Sequence, residues 1–201
     1  MYYTKCLPLL LLVLALAGCT AVSTHEPTSG MPAQLDPLSA SADDETDLYR
    51  QAITALNNSD LDLAESGLKK IIKSRPEFAG PGINLARINI KRNDIDNAEK
   101  NLAKARERNP KMPQVFNMLG YIDISRGQYK KAADDYRQAI ALKEDYAMAH
   151  YNLALLHDIY LQDMKASVRH YKRYLELTNN QDKKTADWVL ELERTMSKGT
   201  E

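Results

Sequence analysis

The sequence has no excess of either charge: its 201 residues include 27 Lys and Arg against 27 Asp and Glu. A nucleic-acid-binding protein is expected to carry clustered positive charge, so the composition does not favour that class. Glycine and proline are scarce, with eight of each, and there are only two phenylalanines. Because Ala, Leu, Lys and Glu are abundant instead, the composition favours helix over sheet. Hydrophobic residues make up 44% of the chain, which is enough to bury a core.

Common catalytic motifs are also missing. There is no Gly-rich phosphate loop and no His-Glu-x-x-His pattern. His150 and His157 share one face of a predicted helix but lie about 10 Å apart along it, and His170 on the next helix is expected to approach only one of them. Because a zinc site needs four ligands within reach, we predict no metal site. We also predict no cofactor, no catalytic residues and no enzymatic activity.

Residues 1–18 have the layout of a secretory leader. Lys5 is the only charge, and an apolar run follows over residues 7–16. Ten residues are about half of the roughly 20 that a membrane-spanning helix needs. The run ends in LAGC, residues 16–19, which resembles the lipobox of bacterial lipoproteins. An ordinary leader-cleavage site followed by a chance cysteine is the alternative interpretation.

The lipoprotein resemblance implies that the leader is cut before Cys19 and that Cys19 carries acyl chains, palmitate among them. Two or more acyl chains hold a protein stably on a bilayer. In such lipoproteins an Asp after the cysteine signals inner-membrane retention. Thr20 at that position therefore implies the periplasmic face of the outer membrane. Since Cys6 leaves with the leader, no disulfide is expected in the mature monomer.

Residues 19–44 are predicted to form the lipidated cysteine and a disordered tether. The segment contains three prolines, is rich in Ser, Thr and Ala, and has no apolar period. A flexible coil of this length spans roughly 25–30 Å on average, so the tether would let a folded domain stand off the membrane.

A period of 34 residues runs through the rest of the chain. Two series of small residues recur at this spacing: Ala52, Ala86, Gly120 and Ala154, and Ala64, Ala98, Ala132 and Ala166. Small residues let two helices approach to about 8–10 Å, for example where Gly120 meets Ala132. The unit PQVFNMLGYIDISRGQYKKAADDYRQAIAL shows the pattern best and resembles the tetratricopeptide repeat (TPR).

The TPR resemblance implies an all-α fold, a TPR α-solenoid of about four helix-turn-helix repeats plus a C-terminal capping helix. The repeats are expected at about 45–78, 79–112, 113–146 and 147–180, with a capping helix at about 183–196 inside a domain over 45–198. A lone repeat cannot bury its apolar face, so the units must stack. Trp188 is predicted to lie in the core of the capping helix.

Two departures from the repeat pattern stand out. The fourth unit lacks a turn glycine, and we infer a one-residue insertion between Leu161 and Asp163, with Asp163 capping the second helix. Ser167 rather than Ala166 then takes the small position. Asp123 stands where the repeat has an aromatic residue, and it is expected to be solvated or to face a Lys.

The first helix of each TPR unit lines the concave side of the solenoid, so the resemblance implies a partner-binding groove there. Its mixture of apolar, aromatic and amide side chains suits an extended peptide or a helix. Packing between units is the alternative role for these side chains. The predicted groove residues are Tyr49, Ile83, Asn84, Arg87, Asn117, Tyr121, Ile124, Tyr151, Asn152 and Asp158.

The combined resemblances imply a membrane-tethered adaptor that presents this groove to envelope proteins or peptide segments. TPR lipoproteins of this build occur in type IV and tight-adherence (Flp) pilus assembly, so we expect a role in assembling a pilus or secretion complex. The alternatives are an adaptor that recruits peptidoglycan hydrolases or proteases, and a self-assembling structural lipoprotein.

Overall fold

The computed structural model describes residues 43–198, which form nine α-helices and no strand. Consecutive helices pack as four hairpins, and the last helix packs against the fourth hairpin. This arrangement confirms the predicted fold class. Cys19, the predicted leader and most of the predicted tether lie outside the described residues. The helices are α1 (Asp43–Asn57), α2 (Leu61–Ser74), α3 (Gly80–Lys91), α4 (Ile95–Arg108), α5 (Pro113–Ser125), α6 (Tyr129–Leu142), α7 (Ala147–Ile159), α8 (Met164–Leu177) and α9 (Lys183–Lys198).

The turns inside the hairpins share one design. One residue in each turn has a positive φ, which reverses the chain: Ser59, Asn93, Gly127 and Gln162. Three of the four second helices then begin after an aspartate whose side chain accepts a hydrogen bond from a backbone N–H of the first turn: Asp60, Asp94 and Asp163. Such caps satisfy donors that a helix start leaves unpaired.

The fourth hairpin contains the predicted insertion. Four residues separate α7 from α8, whereas three separate the helices of the other hairpins. Asp163 caps α8, as predicted. Ser167 follows this cap by four residues and is fully buried, which is the position of Ala98 in α4 and Ala132 in α6. The insertion therefore lengthens the turn and leaves the helix packing in register.

In the third hairpin the nearest neighbour of Gly120 is the ring of Tyr136. A Cβ built on Gly120 would lie 2.7 Å from the Tyr136 ring, and Ala132 is not among its nearest neighbours. Tyr136 is fully buried, so its ring occupies the space above Gly120. The glycine is required because a large aromatic side chain fills the junction between α5 and α6.

Ionic contacts join neighbouring hairpins near the turns between their two helices. Arg126 at the end of α5 donates to Glu99 and Asp96 on α4, at 2.8 and 3.1 Å. Arg92 at the end of α3 donates in the same way to Asp62 and Glu65 on α2. In the fourth hairpin the residue that directly follows the first helix is Tyr160, where the second and third hairpins have Arg92 and Arg126. Tyr160 and Tyr129 stack there instead, with ring centroids 4.5 Å apart.

Helix α9 covers the fourth hairpin with Val189 and Leu192, which are both buried. The prediction that Trp188 lies in the core is wrong, because its side chain is 47% exposed. Its indole N–H donates to Asp158 on α7 at 2.7 Å. Within residues 43–198 no helix follows α9, so the outer face of Trp188 stays open. Across the same residues, no helix combines the length and apolar character needed to cross a bilayer.

Candidate partner-binding surface

The first helices of the four hairpins, α1, α3, α5 and α7, form one side of the stack, which we call the A-helix surface. Helix α3 contacts α5, and α5 contacts α7. A side-chain hydrogen bond links α1 to α3, with Asn84 Nδ2 donating to the Tyr49 hydroxyl at 3.0 Å. The four helices are therefore in register along the chain, as the predicted groove requires.

Most of the predicted groove residues are buried between these helices. Seven of them are no more than 8% exposed: Tyr49, Ile83, Asn84, Arg87, Asn117, Tyr151 and Asn152. The amides make specific bonds there, since Asn152 Nδ2 donates to Asn117 Oδ1 at 2.9 Å and Asn84 donates to Tyr49. The two amide bonds thus link the A helices, and partner binding by the seven buried side chains stays a prediction.

Three predicted groove residues keep appreciable surface: Tyr121, Ile124 and Asp158. Tyr121 packs beside the cluster that includes Leu119 and Ile122. Asp158 accepts a hydrogen bond from Trp188, and burial raises the pKa of its carboxyl while that bond lowers it. The surface open to a partner therefore combines aromatic, aliphatic and acidic groups.

Arg87 is the exceptional residue of this surface. Its side chain on α3 is 7% exposed, and within residues 43–198 nothing accepts a hydrogen bond from its Nε or Nη1. Burial lowers the pKa of the guanidinium, because water no longer solvates the charge. No carboxylate of the described chain forms an ion pair with it, whereas Arg92 and Arg126 each have two.

Tyr146, in the turn before α7, interacts electrostatically with Arg87. Its hydroxyl is also buried, and no described residue is a hydrogen-bond partner for it. Burial raises the pKa of Tyr146, and the nearby Arg87 charge opposes that rise. Sequence analysis missed this residue, because it lies outside the first-helix positions that define the groove and has no repeat signature.

A second buried polar group lies inside the third hairpin. Asp123 on α5 is 1% exposed, and its Oδ1 accepts a hydrogen bond from Lys131 Nζ at 2.8 Å. Of the two predicted environments for Asp123, contact with a Lys is confirmed and solvation is wrong. Burial, followed by the neighbouring carboxyl group of Asp123, raises the pKa of Asp135 on α6 to about 7.

The histidines meet more closely than predicted. His150 and His170 approach through their Nδ1 atoms at 3.1 Å, and the His157 and His170 rings stack 6.1 Å apart. The expectation that His170 approaches only one of the others is therefore wrong. His150 Nε2 donates to the carbonyl of Glu144, so in the neutral ring its Nδ1 is an acceptor for His170.

Burial, followed by neighbouring positive groups, lowers the pKa of His170 to about 4. Burial also lowers the pKa of His150 and of His157, so all three rings favour the neutral form where α7 packs against α8. Among residues 43–198 there is no group of three or more His, Cys, Asp or Glu side chains arranged to hold a metal ion.

Comparison with known proteins supports the repeat assignment. A family model described as a TPR repeat matches residues 120–157. A curated relative, the uncharacterized protein ycf37 of Cyanophora paradoxa, is 30% identical over 103 residues. That match covers 49% of this chain, and this chain spans 60% of the relative's length.

Several solved structures superpose on most of the chain. A thermophilic TPR protein of Thermus thermophilus has a TM-score of 0.65 at 20% identity, covering 76% of this chain and 82% of its own. The pilF protein of Pseudomonas aeruginosa has a TM-score of 0.67 at 17% identity, covering 77% and 69%. The first TPR of Spaghetti, solved with an HSP90 peptide, has a TM-score of 0.54 at 18% identity, covering 59% and 93%. The described chain therefore has the TPR fold.

Proposed function

We propose that this protein is a non-catalytic adaptor that binds segments of partner proteins on its A-helix surface. The observation that carries the proposal is the arrangement of this surface: four helices in register, with Tyr121 and Ile124 partly open and Arg87 buried without a counter-ion. Aromatic side chains and arginine are the usual energetic anchors of a protein interface. The Spaghetti TPR, whose structure contains an HSP90 peptide, has the same fold.

The adaptor is held on the outer membrane, on the periplasmic side, through acyl chains on Cys19. This part of the proposal is supported by the LAGC sequence at residues 16–19 and by the apolar run before it. The proline-rich residues that follow would let the TPR domain reach its partners. Assembly of a pilus or secretion complex is the process we propose, from the combination of a lipobox with a TPR domain.

Lipidation is tested by growing cells with an alkyne-tagged palmitate and isolating the protein from the membrane fraction. The wild-type chain should carry the label, and Cys19→Ser should lose both the label and the membrane association. Cys6→Ser is the matched control, because Cys6 leaves with the leader. Unlabelled wild-type protein in the soluble fraction would contradict the tether.

Partner binding is tested by affinity capture from envelope extracts of the source bacterium with the full chain. The Arg87→Ala and Tyr121→Ala variants should retain fewer partners than wild type. Arg106→Ala is the matched control, since Arg106 is exposed on α4, outside the A-helix surface. Undiminished capture by both A-helix variants would contradict the proposed surface, and the genes encoding the captured proteins would separate pilus assembly from cell-wall hydrolysis.

Self-association is a second candidate, favoured by the open apolar side chains of α9. Leu190 is 52% exposed and Trp188 is 47% exposed at the end of the stack. Light scattering on the purified protein would show a mass that grows with concentration if α9 pairs between copies. Leu190→Glu should then return the mass to that of one chain.

A further inference from the structure

A small cavity lies at the junction of the first two hairpins. Helices α2 and α4 both pack on α3 without packing closely against each other, and residues of all three helices line the cavity. Its volume is about 160 Å³. Pockets that hold a drug-sized molecule measure roughly 300–1,000 Å³, so this cavity has room for a small chemical group only.

Three cations and no carboxylate are found among the described residues that line the cavity. Lys69 comes from α2, and Lys104 and Arg108 lie one turn apart on the same face of α4. Lys69 shares Glu65 with Arg92, as that carboxylate pairs with both. Within residues 43–198 neither Lys104 nor Arg108 forms an ion pair, so the cavity has an excess of positive charge.

The guanidinium of Arg108 is fixed beside the cavity. The side chain is partly buried, and its Nη1 donates to the carbonyl of Phe78, in the turn before α3, at 3.4 Å. Glu77 is the acid that interacts electrostatically with Arg108, and it is itself paired with Arg75. Most of the donors of Arg108 therefore stay available to a ligand.

Gly82 keeps the floor of the cavity open. By the 34-residue period it corresponds to Phe116 in α5, whose side chain packs against the cluster that contains Ala139. A Cβ added to Gly82 would meet nothing closer than 3.6 Å, so packing does not require a glycine here as it does at Gly120. Since glycine is less stable than alanine in a helix, the open space at Gly82 calls for a use.

The positive charge is also particular to this junction. One repeat later, the positions that correspond to the three cations are occupied by neutral residues: Ala103, Gln138 and Leu142. The junction of the second and third hairpins therefore has neither the cations nor the missing side chain. The two features occur together where the cavity lies, and each by itself favours an anionic ligand or space for one.

We infer that this cavity binds a phosphate dianion, either the free ion or the phosphomonoester headgroup of a lipid. The inference goes beyond the proposed function, because its three cations belong to second helices and lie outside the A-helix surface. A phosphate group carries a charge of about −1.5 to −2 and three strong acceptor oxygens. Lysine binds phosphate as a point charge and arginine binds it through paired N–H donors. The single charge of a carboxylate would leave most of the positive charge uncompensated.

The site is tested by titrating the full-length ¹⁵N-labelled protein with sodium phosphate at pH 7.5. The Gly82 amide resonance, assigned by its loss in Gly82→Ala, should shift and saturate. Sodium sulfate, another tetrahedral dianion, should compete with phosphate. Sodium acetate and sodium chloride at the same ionic strength should leave the resonance nearly unchanged. No shift with phosphate, or equal shifts with phosphate, acetate and chloride, would overturn the inference.

A pair of lysine variants separates this cavity from general attraction of anions to a basic surface. Lys104→Gln should weaken phosphate binding about tenfold, the loss expected for one charge-assisted hydrogen bond. Its melting temperature without phosphate should match that of wild type, because Lys104 has no ion pair within residues 43–198. Lys100→Gln is the matched control, since Lys100 is exposed on α4 and does not line the cavity. Equal weakening by the two variants would overturn the inference.

The source of the phosphate is identified by comparing ligands on the same Gly82 resonance. Dihexanoyl phosphatidic acid is a soluble lipid with a phosphomonoester headgroup, and dihexanoyl phosphatidylcholine is the control without net charge. Phosphatidic acid that binds at least tenfold more tightly than inorganic phosphate would identify a lipid headgroup, and equal or weaker binding would identify the free ion. Equal shifts with phosphatidic acid and phosphatidylcholine, unchanged in Lys104→Gln, would show contact with acyl chains and overturn the headgroup assignment.

Discussion

Asn152 on α7 donates a hydrogen bond to Asn117 on α5 across 2.9 Å, and both side chains are at most 1% exposed. This pair joins two successive hairpins through their first helices. Because the pair is shielded from solvent, the bond fixes the register of the two helices as well as stabilising them. The same kind of link, between Asn84 and Tyr49, joins the first two hairpins.

Changing Asn117 to Ala should therefore destabilise the fold. The substitution leaves the Asn152 amide buried without its acceptor, which costs about 1–3 kcal/mol in the free energy of unfolding. Urea denaturation measures the loss. Asn101→Ala is the control, because Asn101 donates to Asn89 in a less buried place and should cost less. Equal losses of unfolding free energy for the two variants would show that the Asn117 bond stabilises the fold no more than the less buried Asn101 bond does.

Gly120→Ala should also destabilise the protein, through overpacking. The added Cβ would lie 2.7 Å from the buried Tyr136 ring, and packing that must shift by this much costs about 1–3 kcal/mol. Gly82→Ala is a matched control in α3, since its Cβ would meet nothing closer than 3.6 Å. There the better helix propensity of Ala should stabilise the fold by about 0.5–1 kcal/mol. Thermal unfolding that ranks the two variants in the opposite order would contradict the packing.

The Asp123–Asp135 contact predicts a specific pH dependence of stability. The pKa of Asp135 is raised from its ordinary 3.8 to about 7, first by burial and then by Asp123, with Lys131 and Arg106 opposing the rise. The folded state therefore binds a proton that the unfolded state has released. Stability falls as pH rises through this interval, and the loss is complete above about pH 7.

Asp135→Asn removes this titration and should stabilise the protein above about pH 7, with little effect near pH 4. The gain should be about 1 kcal/mol, because Asp135 is partly exposed and solvent screens the effect. Asp134→Asn is the control, since Asp134 is exposed and pairs with Arg137 on its own helix. Urea midpoints at several pH values provide the measurement. An effect of Asp135→Asn that does not depend on pH would count against the raised pKa of Asp135.

The arginine contacts between hairpins should contribute little and depend on salt. Arg126→Gln removes the links from α5 to Glu99 and Asp96. Such surface pairs are worth at most about 1 kcal/mol, and salt near 1 M should abolish the difference from wild type. Arg137→Gln breaks only a pair within α6 and serves as the control. A loss that persists undiminished at high salt would mean that Arg126 acts through packing.

The period of 34 residues was sufficient to predict the hairpins, because small residues recur wherever two helices cross. Ala86 and Ala98 are both fully buried in one cluster, as the spacing requires. The insertion before Asp163 was also predictable, since the Tyr residues after it are displaced by one position. The small residues repeat from unit to unit, so each unit supports the assignment of the others, and the displacement in the fourth unit stands out against them.

Interactions between particular side chains could not be predicted from the repeat. The electrostatic interaction of Arg87 with Tyr146 joins two hairpins that are not neighbours in sequence, and the interaction of Asp123 with Asp135 depends on rotamers within one hairpin. The exposure of Trp188 follows from the absence, among the described residues, of a further helix after α9. A repeat pattern specifies which positions face inward, and it does not specify where a charge lacks a partner.

Site-specific photo-cross-linking in living cells tests the A-helix surface as the partner-binding site most directly. A photoreactive phenylalanine derivative at position 121 keeps an aromatic ring on α5, and the same derivative at Lys70 marks the exposed face of α2. The account predicts cross-linked envelope proteins from position 121 and few or none from position 70. Cross-links that form at position 70 while position 121 captures nothing would contradict it.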